Sequence, residues 1–220
     1  MKVKYLAHSA FLITSDSGTR IITDPYQPGS YGGSVGYAAI TEPADVVTVS
    51  HEHGDHNYPQ GVPGNPTIVK GPGEHKAKGI SIKGVAAHHD DTGGSQRGSS
   101  DMMCFNVDGM NVCHVGDLGH MLSSEQLSQM GQVDVLFLPV GGVFTVDAVG
   151  ATDVVDQVRP RVVIPMHYKV PKNGFDVAGV DDFLAGKANV VRVEGSEVKL
   201  ERDTLPKETQ IIVLQPELGQ

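Results

Sequence analysis

The sequence predicts an α/β protein in which two β-sheets pack together with helices on the outside. The chain has 220 residues, 39% of them hydrophobic, which is enough for a large core, and its 20% of charged residues is ordinary for a globular protein. Short β-rich runs recur along the chain, and several, such as DVVTVS and DVLFLPV, are apolar almost throughout. Such runs suit strands covered on both faces. We expect one domain over residues 1–220.

The predicted strands are spread over the whole chain and end near turn residues. In order they are KVKYLA, AFLIT, RIITD, DVVTVS, TIVK, ISIKGVAA, MMCFNV, NVCHVG, DVLFLPV, RVVIPMH, NVVRVEG, SEVKLE and TQIIVLQ. Helices are fewer. SSEQLSQM has an N-cap serine, Ser123, with a glutamate nearby, and DAVGATDVVDQVR has apolar residues at helical spacing before Pro160. VDDFLAGK is a third predicted helix.

Both cysteines lie in one predicted hairpin. Asp108 and Gly109 form a two-residue turn between apolar runs, and that register places Cys104 opposite Cys113. A disulfide is geometrically feasible, but in a reducing compartment we expect two buried thiols.

Charge and hydropathy exclude several kinds of partner. The formal charge of −9 gives no net attraction to nucleic acid or to an anionic membrane surface. His8 and Ser9 interrupt the apolar stretch that an export signal would need, and no run of 18 apolar residues occurs. We therefore expect a cytoplasmic protein with a small-molecule substrate. The sequence leaves a homo-oligomer open.

The strongest chemical signal is HEHGDH, directly after DVVTVS. It places four potential metal ligands within six residues: His51, His53, Asp55 and His56. Imidazole and carboxylate suit zinc, iron or manganese, and the i, i+2 spacing at a strand end can turn His51 and His53 toward one ion. Asp55 and His56 can then face a second ion.

HEHGDH resembles the HxHxDH signature of the metallo-β-lactamase superfamily. Further matches in the expected order are His89 after a later strand, Asp117 in HVGD and His167 in VVIPMHY. The opening, with Ala7-His8-Ser9 and then Asp24-Pro25, is also similar. The resemblance implies a four-layer αββα sandwich, the metallo-β-lactamase fold.

The resemblance also implies the roles of individual residues. His51, His53 and His89 would bind one divalent ion, Asp55, His56 and His167 a second, and Asp117 would bridge the two. Zinc is the first expectation for both ions, with Mn²⁺, Ni²⁺ or Fe²⁺ as alternatives. Asp55 and Asp117 are the predicted catalytic residues.

Four further questions of assignment arise near these motifs: His88 or His89, Asp24, His8 and His120. Of the adjacent His88 and His89, only one readily reaches the cluster if AAHHD ends a strand, because side chains alternate between faces. We prefer His89, which stands next to Asp90 at the start of a polar loop. Asp24 is expected to accept a hydrogen bond from a ligand imidazole. His8 and His120 are left open between a place near the metals and a structural role.

Within the superfamily, the chain looks most like the branch labelled L-ascorbate-6-phosphate lactonase-like. The expected activity is that of a metal-dependent hydrolase, in which a dinuclear site with a bridging hydroxide cleaves a small anionic ester, lactone or phosphodiester. Arg97, Tyr168 and Lys169 are candidates for holding the substrate anion. The alternative is a mononuclear non-haem iron oxygenase, similar to the persulfide dioxygenases, on the same fold.

Two glycine-rich stretches lie beside these motifs. YQPGSYGGSVGY follows Asp24, and DDTGGSQRGSSD follows His89. Their lengths and positions make them candidates for loops that cover the substrate.

Overall fold

The computed structural model describes residues 1–219, which form two mixed β-sheets and a small number of helices. The strands are β1 (Lys2–Ala7), β2 (Ala10–Thr14), β3 (Arg20–Thr23), β4 (Val46–Val49), β5 (Thr67–Lys70), β6 (Gly73–Ala77), β7 (Ile80–Val85), β8 (Met102–Val107), β9 (Met110–His114), β10 (Val135–Pro139), β11 (Val162–Met166), β12 (Val190–Arg192), β13 (Glu197–Lys199) and β14 (Gln210–Val213). The α-helices are α1 (Ser124–Met130), α2 (Ala148–Val158) and α3 (Val180–Leu184).

One sheet has six strands and the other has eight. The six-stranded sheet has the order β13-β1-β2-β3-β4-β5, with β3, β4 and β5 parallel to one another. The eight-stranded sheet has the order β12-β14-β11-β10-β9-β8-β7-β6, antiparallel from β6 to β9 and parallel from β9 to β12. Helices α1 and α2 connect the parallel strands β9, β10 and β11. Every residue of β4, β10 and β11 is buried, as their apolar sequences predict.

The two sheets pack face to face through aromatic side chains. The Phe11 ring of β2 lies 4.4 Å from the Phe137 ring of β10, and Tyr5 of β1 stacks on Phe11 at 4.8 Å. The sheets are also joined by a buried hydrogen bond, in which His114 Nε2 of β9 donates to the Ser9 carbonyl at 2.8 Å. The predicted α/β sandwich is confirmed, and His114 has a structural role in it.

Most predicted elements are present, and the differences have physical causes. The sequence prediction missed β6, because GEHKA is a largely polar edge strand without the apolar alternation on which strand prediction rests. All three predicted helices form, although α3 has only five residues. The capping box of α1 pairs Ser123 with Gln126, not with the glutamate we expected. Within residues 1–219, no helix has the length and hydropathy needed to cross a membrane.

The cysteine hairpin forms in the predicted register. Asp108 and Gly109 both have positive φ, 51° and 74°, as a tight two-residue turn requires. Cys104 pairs with Cys113 across β8 and β9, and both are free thiols with their Sγ atoms 2.8 Å apart. Cys113 is buried, and burial raises the pKa of its thiol well above the ordinary value. Cys104 is only half-buried.

Candidate metal centre

The predicted ligands converge at one end of the sandwich, where strands of both sheets terminate. His51, His53, Asp55 and His56 follow β4 of the six-stranded sheet. The eight-stranded sheet provides the rest from loops after three strands that run in the same direction: His89 follows β7, Asp117 follows β9 and His167 follows β11.

One group of ligand atoms comprises His51, His53 and His89. These atoms lie within 4.8 Å of one another, the spacing expected of donors to one ion. His51 Nε2 is 3.0 Å from His53 Nδ1, and His89 Nε2 is 3.1 Å from Asp117 Oδ2. This is the set that the resemblance assigns to the first metal.

A second group contains Asp55, His56 and His167 together with His8, again within 4.8 Å. Asp117 lies against members of both groups. Its Oδ2 atom is 3.2 Å from His56 Nε2 and 3.4 Å from His167 Nε2, in addition to its contact with His89. The Asp117 carboxylate therefore lies between the two groups of ligand atoms.

Hydrogen bonds to the remaining ring nitrogens orient two of these imidazoles. His56 Nδ1 donates to Asp24 Oδ2 at 3.0 Å, and His89 Nδ1 donates to the Phe144 carbonyl at 2.9 Å. Asp24 is itself held by Ser50, whose backbone N–H and hydroxyl donate to its two oxygens at 2.8 and 2.6 Å. Such contacts fix the tautomer and direct Nε2 toward the cluster. Asp24 therefore accepts a hydrogen bond from the imidazole of His56, one of the ligands that the sequence predicts.

The backbone is strained where it enters the centre. His8, Asp24 and His167 have φ of 57°, 38° and 51°, in the left-handed region that non-glycine residues seldom adopt. Each such residue costs of the order of 1–3 kcal/mol, so the surroundings must stabilise it. Gly116, before Asp117, has φ of 56°, and a Cβ there would lie 2.6 Å from the Ser50 Cβ. Only glycine fits at that position.

Burial and neighbouring charges set the protonation of the metal-free centre. Burial lowers the pKa of His51 to about 3 and that of His167 to about 4. Burial alone would raise the pKa of Asp117, but the charges of His167 and His56 hold it well below its usual range. Burial opposes ionisation of His56, yet the charges of Asp117 and Asp55 raise its pKa well above the ordinary value. Most of these groups therefore already have the deprotonated form that metal binding requires.

Unpaired polar atoms give an independent indication that the centre fits metal ions. Buried side-chain atoms without a hydrogen-bond partner are rare in proteins, because each costs about 1–3 kcal/mol. In residues 1–219, eight such atoms occur, and four belong to this cluster: Asp55 Oδ1, His56 Nε2, Asp117 Oδ1 and His167 Nδ1. Nitrogen and carboxylate donors left in this way are ligands that zinc prefers.

Several other candidates from the sequence lie elsewhere. The His88 side chain lies beside His120, with ring centroids 5.6 Å apart, and the His88 backbone N–H donates to His120 Nε2. Tyr168 is buried and donates to the Leu214 carbonyl, so it has a packing role. Lys169 Nζ donates to the Phe175 carbonyl. Of the three residues suggested for anion binding, only Arg97 lines the cleft over the centre.

That cleft has a volume of about 240 Å³ and mixes metal-ligating with aromatic side chains. Tyr31 and Arg97 come from the two glycine-rich stretches, which therefore do line the site. Asp90 anchors the second stretch by accepting the Arg97 backbone N–H at 2.7 Å, and the guanidinium donates to the Val143 carbonyl at 3.2 Å. Sequence reasoning missed the other aromatic walls, Phe144 and Phe175, because a single phenylalanine outside any metal-ligand motif carries no local sign of a place in the site.

Comparisons with known proteins agree with this geometry. A family model described as the β-lactamase superfamily domain matches residues 2–167. The chain is 31% identical to a metal-dependent hydrolase of Thermococcus kodakarensis, over 91% of this chain and 100% of that protein. It is 29% identical to a metal-dependent hydrolase of Thermococcus onnurineus, over 90% and 98% of the two chains.

Solved structures give the same result. A Thermotoga maritima protein assigned to the zinc-dependent hydrolases of the metallo-β-lactamase superfamily superposes with a TM-score of 0.79 and 35% identity, covering 97% of each chain. The iron-oxygenase alternative is not favoured, because these relatives are named as hydrolases. The chain belongs to the metallo-β-lactamase superfamily and is a metal-dependent hydrolase.

Proposed function

We propose that the protein uses two divalent ions to hydrolyse a small anionic ester, lactone or phosphodiester. The observation that carries this proposal is the arrangement of two groups of ligand atoms that share no residue, with Asp117 in contact with both; a third group, Asp24 with His51 and His56, joins them. A single ion at His51, His53 and His89 would leave the unpaired buried atoms of Asp55, His56 and His167 unused, and a single ion at the second group would leave the first group of three imidazoles unused. Zinc is the first choice, supported by the nitrogen-rich donor set and by the zinc dependence assigned to the Thermotoga maritima relative.

The proposed ligands are those that the sequence suggested. His51, His53 and His89 would hold one ion, and Asp55, His56 and His167 the other, with Asp117 shared. When bound, two divalent ions activate a water at neutral pH and stabilise negative charge that develops on the substrate.

The carboxylates of the chain have distinct tasks in this proposal. The Oδ2 atom of Asp117 lies among His56, His89 and His167, so this carboxylate would be shared by the two ligand groups and keep them in position. Asp55 belongs to the second ligand group, and its carboxylate would relay a proton from the attacking water to the leaving oxygen.

The cleft favours a small substrate that carries both negative charge and apolar surface. Arg97 is the cation at its rim, and Tyr31, Phe144 and Phe175 form aromatic walls. The Arg97 guanidinium carbon lies 5.8 Å from the Phe144 ring centroid, so the charge is oriented by a cation–π contact as well as by a hydrogen bond. The acidic net charge of −9 opposes polyanions such as RNA, but one local arginine can still bind a small anion.

We also propose that residues 1–220 act as one domain. Buried side chains of both sheets belong to one continuous hydrophobic core in the described part of the chain, and the centre draws its residues from both sheets.

Metal analysis combined with substrate screening tests the proposal. Metal-free protein is loaded with excess Zn²⁺, Mn²⁺, Ni²⁺ or Fe²⁺, freed of unbound metal and measured by elemental analysis. We expect two ions per chain. Phosphodiesters, lactones, thioesters and amides are then compared. One tightly bound iron with oxygen consumption would contradict the hydrolase assignment, and RNA hydrolysis far faster than that of every small ester would contradict the substrate class.

The role of Arg97 is tested with a matched pair of arginine variants. A charge-assisted hydrogen bond contributes about 1.5–3 kcal/mol, so Arg97→Ala should raise KM for an anionic substrate about 10- to 100-fold. A neutral analogue of the same size should be almost unaffected. The control is Arg192→Ala, which removes an exposed arginine paired with Asp181 outside the cleft. Equal effects of the two variants would show that Arg97 does not bind the substrate.

A further inference from the structure

His8 has no part in the mechanism above, yet it is fully buried within the centre. It lies in the turn between β1 and β2 with a left-handed backbone, φ of 57°. Two buried hydrogen bonds stabilise this conformation, because the Tyr5 hydroxyl and the His167 backbone N–H both donate to the His8 carbonyl at 2.9 Å. These bonds hold the backbone of His8 and thereby fix the place from which its imidazole enters the centre.

The His8 side chain lies between a tyrosine and an aspartate. Its Nδ1 is 3.4 Å from the Tyr37 hydroxyl, and its Nε2 is 3.2 Å from Asp55 Oδ2. Burial raises the pKa of Tyr37, so the hydroxyl stays protonated and can donate to Nδ1. When Nδ1 accepts this bond, a neutral imidazole carries its proton on Nε2. That N–H points at the carboxylate of Asp55.

The contact with His8 gives the two carboxylate oxygens of Asp55 different surroundings. Oδ2 accepts the hydrogen bond from His8, whereas Oδ1 is buried and has no hydrogen-bond partner. Without His8, the carboxylate would be free to rotate about χ2 and to present either oxygen to the other ligands.

His8 could instead bind the second ion directly, because its ligand atom lies within 4.8 Å of those of Asp55, His56 and His167. That role would need a free lone pair on Nε2. The proton would then sit on Nδ1, which could donate it to the Tyr37 oxygen, but Asp55 Oδ2 would lose its hydrogen-bond donor. The observed contacts favour the hydrogen-bonding role.

We infer that His8, oriented by Tyr37, is a positioning residue for Asp55: it donates a hydrogen bond to Oδ2 and thereby presents Oδ1 to the second ion. The inference rests on the proposed function, in which Asp55 belongs to the second ligand group. His8 acts through Asp55 and contacts neither the substrate nor the first ligand group.

The test uses four variants of the full chain, with metal binding as the primary readout. His8→Gln keeps a side-chain N–H that can donate to Asp55 but has no imidazole, and His8→Ala removes the donor. Tyr37→Phe removes the hydroxyl that orients His8. Tyr26→Phe is the matched control, since the Tyr26 hydroxyl donates to the Ala38 carbonyl outside the centre. Each metal-free protein is titrated with Zn²⁺ in competition with a chelator, and kcat and KM are measured after loading.

The loss of a hydrogen bond to a metal ligand lowers metal affinity about 10- to 100-fold. We expect this loss for the second ion in His8→Ala, and a smaller one in Tyr37→Phe, with affinity for the first ion unchanged. In both variants kcat should fall while KM stays within about twofold, because the substrate-binding side chains are intact. His8→Gln should retain second-ion affinity close to that of the unmodified protein, and Tyr26→Phe should match it throughout.

Two results would overturn the inference. If His8→Gln loses the second ion as completely as His8→Ala does, although it keeps an N–H donor, His8 is a ligand. If Tyr37→Phe and His8→Ala both bind two ions with unchanged affinity, His8 does not position Asp55. Should His8→Ala fail to fold, Tyr37→Phe and His8→Gln still decide between the two roles. Failure of the proposed function is a separate observation, because it would appear as a single ion in the unmodified protein.

Discussion

Replacing His89 or His88 with alanine is the sharpest test of the ligand assignment, because the two residues are adjacent and the structure gives them opposite surroundings. His89 Nε2 is 3.1 Å from Asp117 Oδ2, inside the centre. The His88 ring lies on the other side of the chain, next to His120. We expect His89→Ala to lose metal and His88→Ala to keep it.

The size of the effect follows from what each side chain contacts. His89 provides one of the three imidazoles in its ligand group, and its Nδ1 hydrogen bond to Phe144 fixes its orientation. The loss of a residue that only supports a ligand weakens metal binding about 10- to 100-fold, so loss of the ligand itself should weaken it by at least about 100-fold, or about 2.8 kcal/mol. The metal-free fold should lose only about 0.5–1.5 kcal/mol, the net contribution of one hydrogen bond.

The assay is elemental analysis after stoichiometric loading with Zn²⁺, accompanied by urea unfolding of the metal-free proteins. His89→Ala should fall from two ions per chain toward one, with a small change in unfolding free energy. His88→Ala should retain two ions. The opposite ranking would refute the reasoning and would move the third ligand of that group to His88. Equal retention of metal by both variants would show that neither histidine is a ligand.

Three further predictions concern other parts of the centre. Asp55→Ala should keep the circular dichroism spectrum of the fold and reduce turnover by at least about 100-fold; simultaneous loss of the spectrum would show that metal binding is structural. Because the pKa of His56 is raised well above its ordinary value, metal-free protein carries a proton there at pH 7, and Zn²⁺ binding should release it. Calorimetry in buffers of different ionisation enthalpy should show this proton release and its decline as the pH rises through the pKa of His56. Zinc binding without proton release at pH 7 would contradict the assignment of His56 as a ligand. Gly116→Ala should lower the free energy of unfolding by at least about 1–3 kcal/mol because of its positive φ and its contact with Ser50, whereas Gly195→Ala, with no atom within 4 Å of the added Cβ, should change it by less than about 0.5 kcal/mol in urea denaturation.

The sequence predicted most of the fold because the buried strands carry strong local patterns. Strands such as β4 and β10 are continuous apolar runs, and the cysteine hairpin has a turn that admits one register. The edge strand β6 lacked such a pattern, since its pairing with β7 depends on the backbone and on the turn and not on apolar side chains. Local patterning therefore predicts interior strands better than edge strands.

For the candidate centre, short motifs identified residues that lie close together along the chain or follow strands. They could not identify contacts that depend on three-dimensional packing. His8 and Tyr37 are separated from Asp55 by 47 and 18 positions; the Ala7-His8-Ser9 motif left the place of His8 open, and nothing in the local sequence of Tyr37 indicates the contact. In the same way, Tyr168 directly follows His167 but turns into the core. A position next to a predicted ligand did not indicate a place in the cleft, because successive residues after a strand face different sides.

The division of ligands between the sheets has a mechanical consequence. Each group takes residues from the six-stranded sheet and from the eight-stranded sheet, so an ion held by either group would cross-link the two halves at their open end. Separating the sheets would then require breaking coordination bonds at the same time as the aromatic contacts. At a free metal concentration 100 times the dissociation constant, each ion would add about 2.7 kcal/mol to the resistance against unfolding. A chelator should therefore weaken the packing between the two sheets and leave the hydrogen bonds within each sheet intact. We expect the contact between the sheets to open first around His51 and His167.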